Sequence, residues 1–200
     1  MRRFAALIAL GTLAACSTAG GLADLAPSGS ETPTVAVRAP RFADADPHEW
    51  ESGAPWTYAV HGTDVAKYQT NIDWSSAKAS GISFAFVKAT EGGDRYDENF
   101  ERHWAGTRAA GIPRGAYHFF YFCRPASEQA AWFIDHVPRE RGSLPPVLDM
   151  EWNPLSPTCK TRPPAATVRA EMKTFLTMVE RHYGKKPIIY TSVDFFDDND

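Results

Sequence analysis

Two carboxylic acids, Asp149 and Glu151, stand two residues apart in LPPVLDMEWNP (144–154). Side chains alternate between the faces of a β-strand, so an extended segment points both acids one way and Met150 the other. Alternate residues lie about 6.6–6.8 Å apart along a strand axis. Glycosidases hold their two carboxyl groups ~5–5.5 Å apart when they retain configuration and ~6.5–9.5 Å apart when they invert it. Rotamer freedom blurs that comparison, and spacing alone leaves the stereochemistry open. Such a spacing does allow coupling: one ionised acid raises the pKa of its neighbour and keeps it protonated near neutral pH, as a general acid requires. A divalent-cation site and a plain surface loop are the other readings of the pair. A cation would want more carboxylates or histidines at matched positions, and the apolar residues leading into the pair argue against a loop. A third acid, Asp64 in HGTDVAKYQ (61–69), either faces the same mouth or caps the next turn.

The segments that must position these acids alternate between strand and helix patterns. TYAVHGTDV (57–65) reads as a strand, and IDWSSAKASG (72–81) as a short helix closed by Gly81. ISFAFVKAT (82–90) is a nearly all-apolar strand. DENFERHWAGTRAAG (97–111) then sets Phe100, His103, Trp104, Thr107 and Ala110 on one helical face. RGAYHFFYF (114–122) is a third strand, and PASEQAAWFIDHV (125–137) a helix with Ala130, Phe133, Ile134 and Val137 at helical spacing. After LPPVLDMEW (144–152) comes a long helix, its stripe running from Val168 through Phe175 and Val179 to Tyr183 and stopping at Gly184. PIIYTS (187–192) is a fifth strand, and DFFDDND follows it. Alternation with continuously apolar strands predicts an α/β fold whose parallel sheet is covered on both faces. Asp64, Glu91, His118, the Asp149/Glu151 pair and Tyr190 all fall at strand C-terminal ends, the edge where parallel α/β folds build their sites.

The composition suits one domain with a real core: 200 residues, 44% hydrophobic, with six Trp, seven Tyr and twelve Phe. A net charge of −3 provides no basic footprint, which argues against nucleic acid as a partner. No Cys-x-x-Cys or histidine cluster suggests a metal, and no cofactor is expected. The N-terminus, MRRFAALIALGTLAAC, places two arginines before a short apolar run and small residues, which is a signal-peptide pattern. Its ending, Leu13-Ala14-Ala15-Cys16, resembles a bacterial lipobox; the alternative is an ordinary signal peptide with an incidental cysteine. The expected organisation is a signal peptide at 1–15, a Pro/Ser/Gly/Ala-rich tether from a lipidated Cys16 over 16–54, and a domain at 55–200. Ser17 after the cysteine favours the outer membrane by analogy with lipoprotein sorting. Cys123 and Cys159 then remain as an even pair in an oxidising compartment, where a disulfide is the preferred reading and free buried thiols the alternative.

Four of these stretches carry a family resemblance. HGTDVAKYQTNIDW resembles the opening of the glycoside hydrolase family 25 lysozymes, the Chalaropsis-type muramidases, written G-[IT]-D-V-S-x-[WY]-Q-x-x-I-D-W. FAFVKATEGGDRYDENFERHWAGTRAAGIPRGAYHFF is similar to that family's second and third βα units, PPVLDMEW to its fourth strand ending in Asp-x-Glu, and KKPIIYTS to its fifth. The resemblance covers about residues 60–193 in order and in register. It implies a modified (β/α) TIM-like barrel that hydrolyses the β-1,4 bond between N-acetylmuramic acid and N-acetylglucosamine in peptidoglycan. Carried over position by position, Glu151 is the general acid. Asp149 stays charged and positions the substrate's own acetamido group, a substrate-assisted route. Asp64 matches the family's first-strand acid, and Tyr117 and Tyr190 match tyrosines lining its groove. Glu91, counted with the substrate-binding residues, is expected chiefly to tie the second strand to its neighbours, and His118 to be structural.

The family's barrel continues past the fifth strand with roughly three more, which carry a Trp-Gln pair and a final Asp-x-Asn segment. This chain ends at Asp200 before them, so a fragment with about the first five strand–helix units and an open sheet edge is expected. Cys123 and Cys159 follow neighbouring strands, which puts a disulfide on the cleft wall. The full expectation is a monomeric, lipid-anchored hydrolase of peptidoglycan glycan strands on the periplasmic face of the envelope. Its rivals are a tethered peptidoglycan-binding protein without turnover and a barrel glycosidase acting on another N-acetylated polymer such as chitin.

Overall fold

The computed structural model describes residues 57–199; the expected signal peptide and tether, with Cys16, lie outside them. The chain runs β1 (His61–Val65), α1 (Trp74–Ala79), β2 (Ile82–Glu91), β3 (Arg95–Tyr96), α2 (Phe100–Ala109), β4 (Arg114–Phe119), α3 (Ala126–His136), β5 (Val147–Met150), α4 (Ala165–Tyr183), β6 (Ile188–Thr191) and α5 (Val193–Asn199). β1, β2, β4, β5 and β6 lie side by side in chain order, each pair parallel, while β3 pairs antiparallel with the end of β2. The result is the anticipated α/β class, a curled parallel sheet forming part of a TIM-like barrel. Each crossover needs a helix, and the helices have their faces where the spacing puts them: Phe100, His103, Trp104 and Thr107 are buried on α2, and Val168, Phe175 and Val179 on α4.

Two elements were not anticipated. β3 is two residues long, below any periodicity signal. The segment 193–199 received no element from the sequence, yet it is helix α5, with Phe195 docked against Phe122 and Trp152 at ring-centroid distances of 5.5 and 4.7 Å.

The expectation of a sheet covered on both faces is corrected. Ala85, Val87, Ala89, Ala116, Leu148 and Met150 point outward into one core with Phe100, Phe133 and Phe175 of the helices. The alternate residues Phe84, Phe86, Tyr117 and Asp149 point inward and line a cleft. The strands read as two-sided because their concave face is itself partly apolar: Phe84 and Phe86 stand edge to face with centroids 5.8 Å apart, on a surface the curl leaves hollow.

His118 belongs to the outer face and is structural. It is fully buried, its Nδ1 is 2.8 Å from Thr90 Oγ1 and its Nε2 3.1 Å from Gln129 Oε1, and it stacks on Phe175. Burial pushes its pKa down to about 4, so it is neutral wherever the protein is folded near neutral pH. Gln129 also bonds the Tyr121 backbone on both sides, through Oε1 to its N–H and through Nε2 to its carbonyl, each at 2.8 Å. This fixes the exit of β4 from the sheet.

On the inner face, glycines admit the aromatic floor. A methyl group on Gly115 would sit 2.6 Å from the Phe86 ring and 3.0 Å from the Pro145 carbonyl oxygen. Gly115→Ala is expected to destabilise the fold by about 1–3 kcal/mol through this overlap. Denaturant unfolding checks this, and Phe86→Leu in the same chain should recover part of the loss if the ring is the obstacle.

Candidate active site

Two adjoining cavities of about 460 and 510 Å³ share Asp64, Tyr117 and Asp149 as walls, and together make one groove over the concave face of the sheet. β5 supplies the acids. Met150 is wholly buried in the core, so its strand neighbours Asp149 and Glu151 turn into the groove. Asp149 sits between β4 and β6: its carbonyl accepts from Phe120 N–H at 2.9 Å, and it stands in register with Tyr190. Tyr117 and Tyr190 line the groove beside it, Tyr117 mostly buried and Tyr190 exposed. Asp64, at the end of β1, forms the opposite wall. Asp149, Glu151, Asp64, Tyr117 and Tyr190 are therefore gathered into one cleft from four strands.

Both members of the β5 pair are pushed toward the protonated form. Burial is the main cause for Asp149, joined by the Glu151 charge and a smaller contribution from Asp64; nearby Lys88 pulls the other way. The outcome is a pKa raised from 3.8 to about 7. Among the described residues its buried Oδ1 has no hydrogen-bond partner, which deprives the carboxylate of the contacts that would favour it. Glu151 is raised by burial and then by the Asp194 charge. The sequence leads one to expect Asp149 charged beside a protonated Glu151. Burial by the groove walls is the leading cause of the upward shift in both. Burial also raises the Tyr117 hydroxyl, with the Asp64 and Asp149 charges adding to it, while for Tyr190 the Glu151 charge leads.

Glu91 lines the groove with its oxygens already engaged. Lys88 Nζ donates to Oε2 at 2.6 Å, Tyr121 Oη donates to Oε1, and Arg95 stands 3.8 Å away. Burial alone would raise its pKa, but the hydrogen bonds from Lys88 and Tyr121 and the charges of Lys88 and Arg95 outweigh it and hold Glu91 below the usual carboxylate range.

Lys88 escaped the sequence reading. Strand alternation from Phe84 and Phe86 places it on the inner face, and a lysine in so apolar a strand was the available signal. It lies 4.9 Å from the Phe119 ring centroid. Asp194 was also missed, because it acts on Glu151 from α5, an element the sequence did not announce.

Two loops complete the walls. The β1–α1 loop is held by α2 and the residues before it: Asp97 Oδ2 accepts from Lys67 N–H at 2.8 Å, Asn99 Nδ2 donates to the Lys67 carbonyl at 2.8 Å, and His103 Nε2 lies 2.6 Å from the Gln69 carbonyl. The β5–α4 loop brings Asn153, Leu155 and Ser156 to the groove. Cys123, just beyond β4, is disulfide-bonded to Cys159 of that loop, with Cα atoms 5.8 Å apart. Ser156 Oγ accepts from Cys159 N–H at 3.0 Å. Among the described residues no group of three or more His, Cys, Asp or Glu is arranged to hold a metal ion.

Residues 63–200 match the family described as Glycosyl hydrolases family 25. Over 150 residues the chain is 39% identical to the protein YegX of Escherichia coli strain K12, an alignment covering 72% of this chain and 53% of YegX. It is 34% identical over 173 residues to lysozyme M1 of Streptomyces globisporus, covering 81% of this chain and 56% of that protein. Among solved structures, a family 25 glycosyl hydrolase from Bacillus anthracis superimposes with a TM-score of 0.67 at 36% identity, covering 76% of this chain and 66% of the other. The chain thus spans about half the length of those two sequence relatives. With its motifs in family order and its acids gathered at the strand ends, the chain belongs to glycosyl hydrolase family 25.

Proposed function

We propose that the protein hydrolyses the β-1,4 bond between N-acetylmuramic acid and N-acetylglucosamine in peptidoglycan, with Glu151 as general acid and Asp149 assisting. The observation that carries this reading is the pair itself: two carboxyl groups, one near the end of β5 and one just past it, both raised in pKa, inside a groove flanked by Tyr117 and Tyr190. Lysozyme and muramidase relatives support the same chemistry.

The proton economy follows from burial. Two adjacent carboxylates resist ionising together, so the pair keeps one proton near neutral pH and titrates as a unit. Burial weighs more heavily on Asp149 than on Glu151. A bound sugar changes the balance, because an acetamido N–H donating to Asp149 stabilises its ionised form and leaves the proton on Glu151. Glu151 then protonates the glycosidic oxygen as the C1–O bond breaks. The carbonyl oxygen of the acetamido group, whose N–H donates to Asp149, bonds to C1 in its place. Water subsequently attacks C1, gives its proton to the Glu151 carboxylate and releases the acetamido oxygen, restoring the starting state. Asp64 orients the sugars from the opposite wall, and Tyr117 and Tyr190 do so from beside Asp149. Glu91 positions Tyr121 and the groove floor.

We further propose that Cys16 carries a lipid that tethers the domain to the periplasmic side of the envelope, within reach of the cell wall. Globomycin treatment of expressing cells, followed by membrane fractionation, checks this: an unprocessed precursor is expected, and a Cys16→Ser protein should leave the membrane fraction.

Glu151→Gln is expected to lower kcat on purified peptidoglycan about 10²–10⁴-fold with binding retained, read as reducing ends released. A parent protein that binds peptidoglycan and releases no reducing ends would favour the non-catalytic binding role. For Asp149, the raised pKa makes folding oppose ionisation. Its effect on stability is absent below its ordinary value of 3.8, grows as pH rises, and is complete above about 7. Asp149→Asn removes that penalty. It should unfold later than the parent at pH 8, by on the order of 2–4 kcal/mol, with the gap closing at pH 4. Equal gaps at the two pH values would show that Asp149 is not the desolvated acid.

A further inference from the structure

The groove is electrically asymmetric. One stretch carries Asp64, Asp149 and Glu151; the second shares Asp64, Tyr117 and Asp149 with it and adds the cations Lys67, Lys88 and Arg95 against the single further acid Glu91. We propose that this second stretch is a carboxylate-binding subsite for the peptide stem borne by muramic acid, and that it makes the enzyme prefer stem-bearing strands over bare N-acetylated glycan. The proposal rests on the muramidase reading above.

Two of these cations are presented from fixed backbone. Lys67 is pinned by Asp97 and Asn99 through its N–H and carbonyl, while its side chain is exposed and its Nζ lies 5.5 Å from the Tyr68 ring centroid. Arg95 sits in β3 opposite Glu91, and its carbonyl accepts from Trp132 Nε1 at 2.9 Å. Asp97 and Asn99 follow Arg95 by two and four positions, so the contacts that hold Lys67 also bring it to the β3 segment. Lys88 differs from these two: it is largely buried and paired closely with Glu91. Arg95 reaches Glu91 only at 3.8 Å with half its side chain exposed, a separation that leaves most of its fork of donors for a ligand. Among the described residues Lys67 makes no ion pair. A guanidinium and an ammonium on a firm base, with the exposed face of Tyr68 between groove and solvent, match a flexible chain carrying carboxylates. The sugars offer no such charge, because both N-acetyl groups are neutral, whereas the lactyl-linked peptide of muramic acid carries carboxylates along its length. A glycan bound with its scissile bond at Glu151 extends along the groove toward the basic end. Chitin, with no stem, would leave that end unused.

The test compares the full-length parent with the Lys67→Gln/Arg95→Gln variant on two substrates: purified glycan strands bearing stems, and the same strands stripped by an amidase. Reducing-end release and co-sedimentation are measured on each. The parent is expected to show a kcat/KM about 10-fold higher on stem-bearing strands, equivalent to about 1.4 kcal/mol. The variant should lose that advantage through KM while matching the parent on stripped strands, and Lys67→Arg should keep it. A parent indifferent to stems, or a variant that falls equally on both substrates, overturns the subsite. If the parent releases reducing ends from neither substrate, the muramidase reading fails. Co-sedimentation then decides the subsite by itself: a stem preference lost in the variant upholds it, and equal binding overturns it.

Discussion

The buried outer face of the sheet governs the rest of the molecule. Met150, Leu148, Val87 and His118 are locked among helix side chains, and a strand cannot move one side chain across the sheet without moving them all. Asp149 and Glu151 are consequently held in the groove by the packing of the residues between and before them. A one-residue slip of β5 would bury both acids in an apolar core and expose Met150. That is a far larger penalty than any single contact in the site, so core packing sets the register of the chemistry.

The same arrangement loads the inner face with unfavourable electrostatics. Asp149 is desolvated, lacks a hydrogen bond on Oδ1 among the described residues, and faces Glu151 and Asp64. Lys88 offsets this only in part, because Glu91 holds it through a close ion pair. That desolvation opposes a second negative charge beside Glu151, so the two acids resist ionising together.

Loops finish what the strands begin, and they are anchored to the strands' own surroundings. Gln129 clasps the exit of β4, the Cys123–Cys159 bond ties the β5–α4 loop to that exit, and Asp97 with Asn99 holds the β1–α1 loop. These connections keep the groove walls in place over a sheet whose concave side is hollow. They also distribute charge along the groove, with acids over β5 and cations over β3 and the β1–α1 loop.

Much of this was legible in the residues. Helical stripes alternating with continuously apolar strands defined the parallel α/β class. Strand parity put Asp149 and Glu151 on one face, and the motifs around Asp64, Glu91, Tyr117 and Tyr190 ran in family order. Local signals of that kind survive in sequence because each depends on neighbours a few positions away. What only the tertiary structure decided depends on contacts between distant segments. The curl opened the inner face that the apolar strands had suggested was covered. The docking of Phe195 made α5 of a segment the sequence left unassigned and brought Asp194 to bear on Glu151. The depth of the groove placed the greater pKa shift on Asp149. Sequence determined which acids share a face; desolvation by residues far along the chain decided how each holds its proton, because solvent exclusion is a property of the assembled walls and of no single segment.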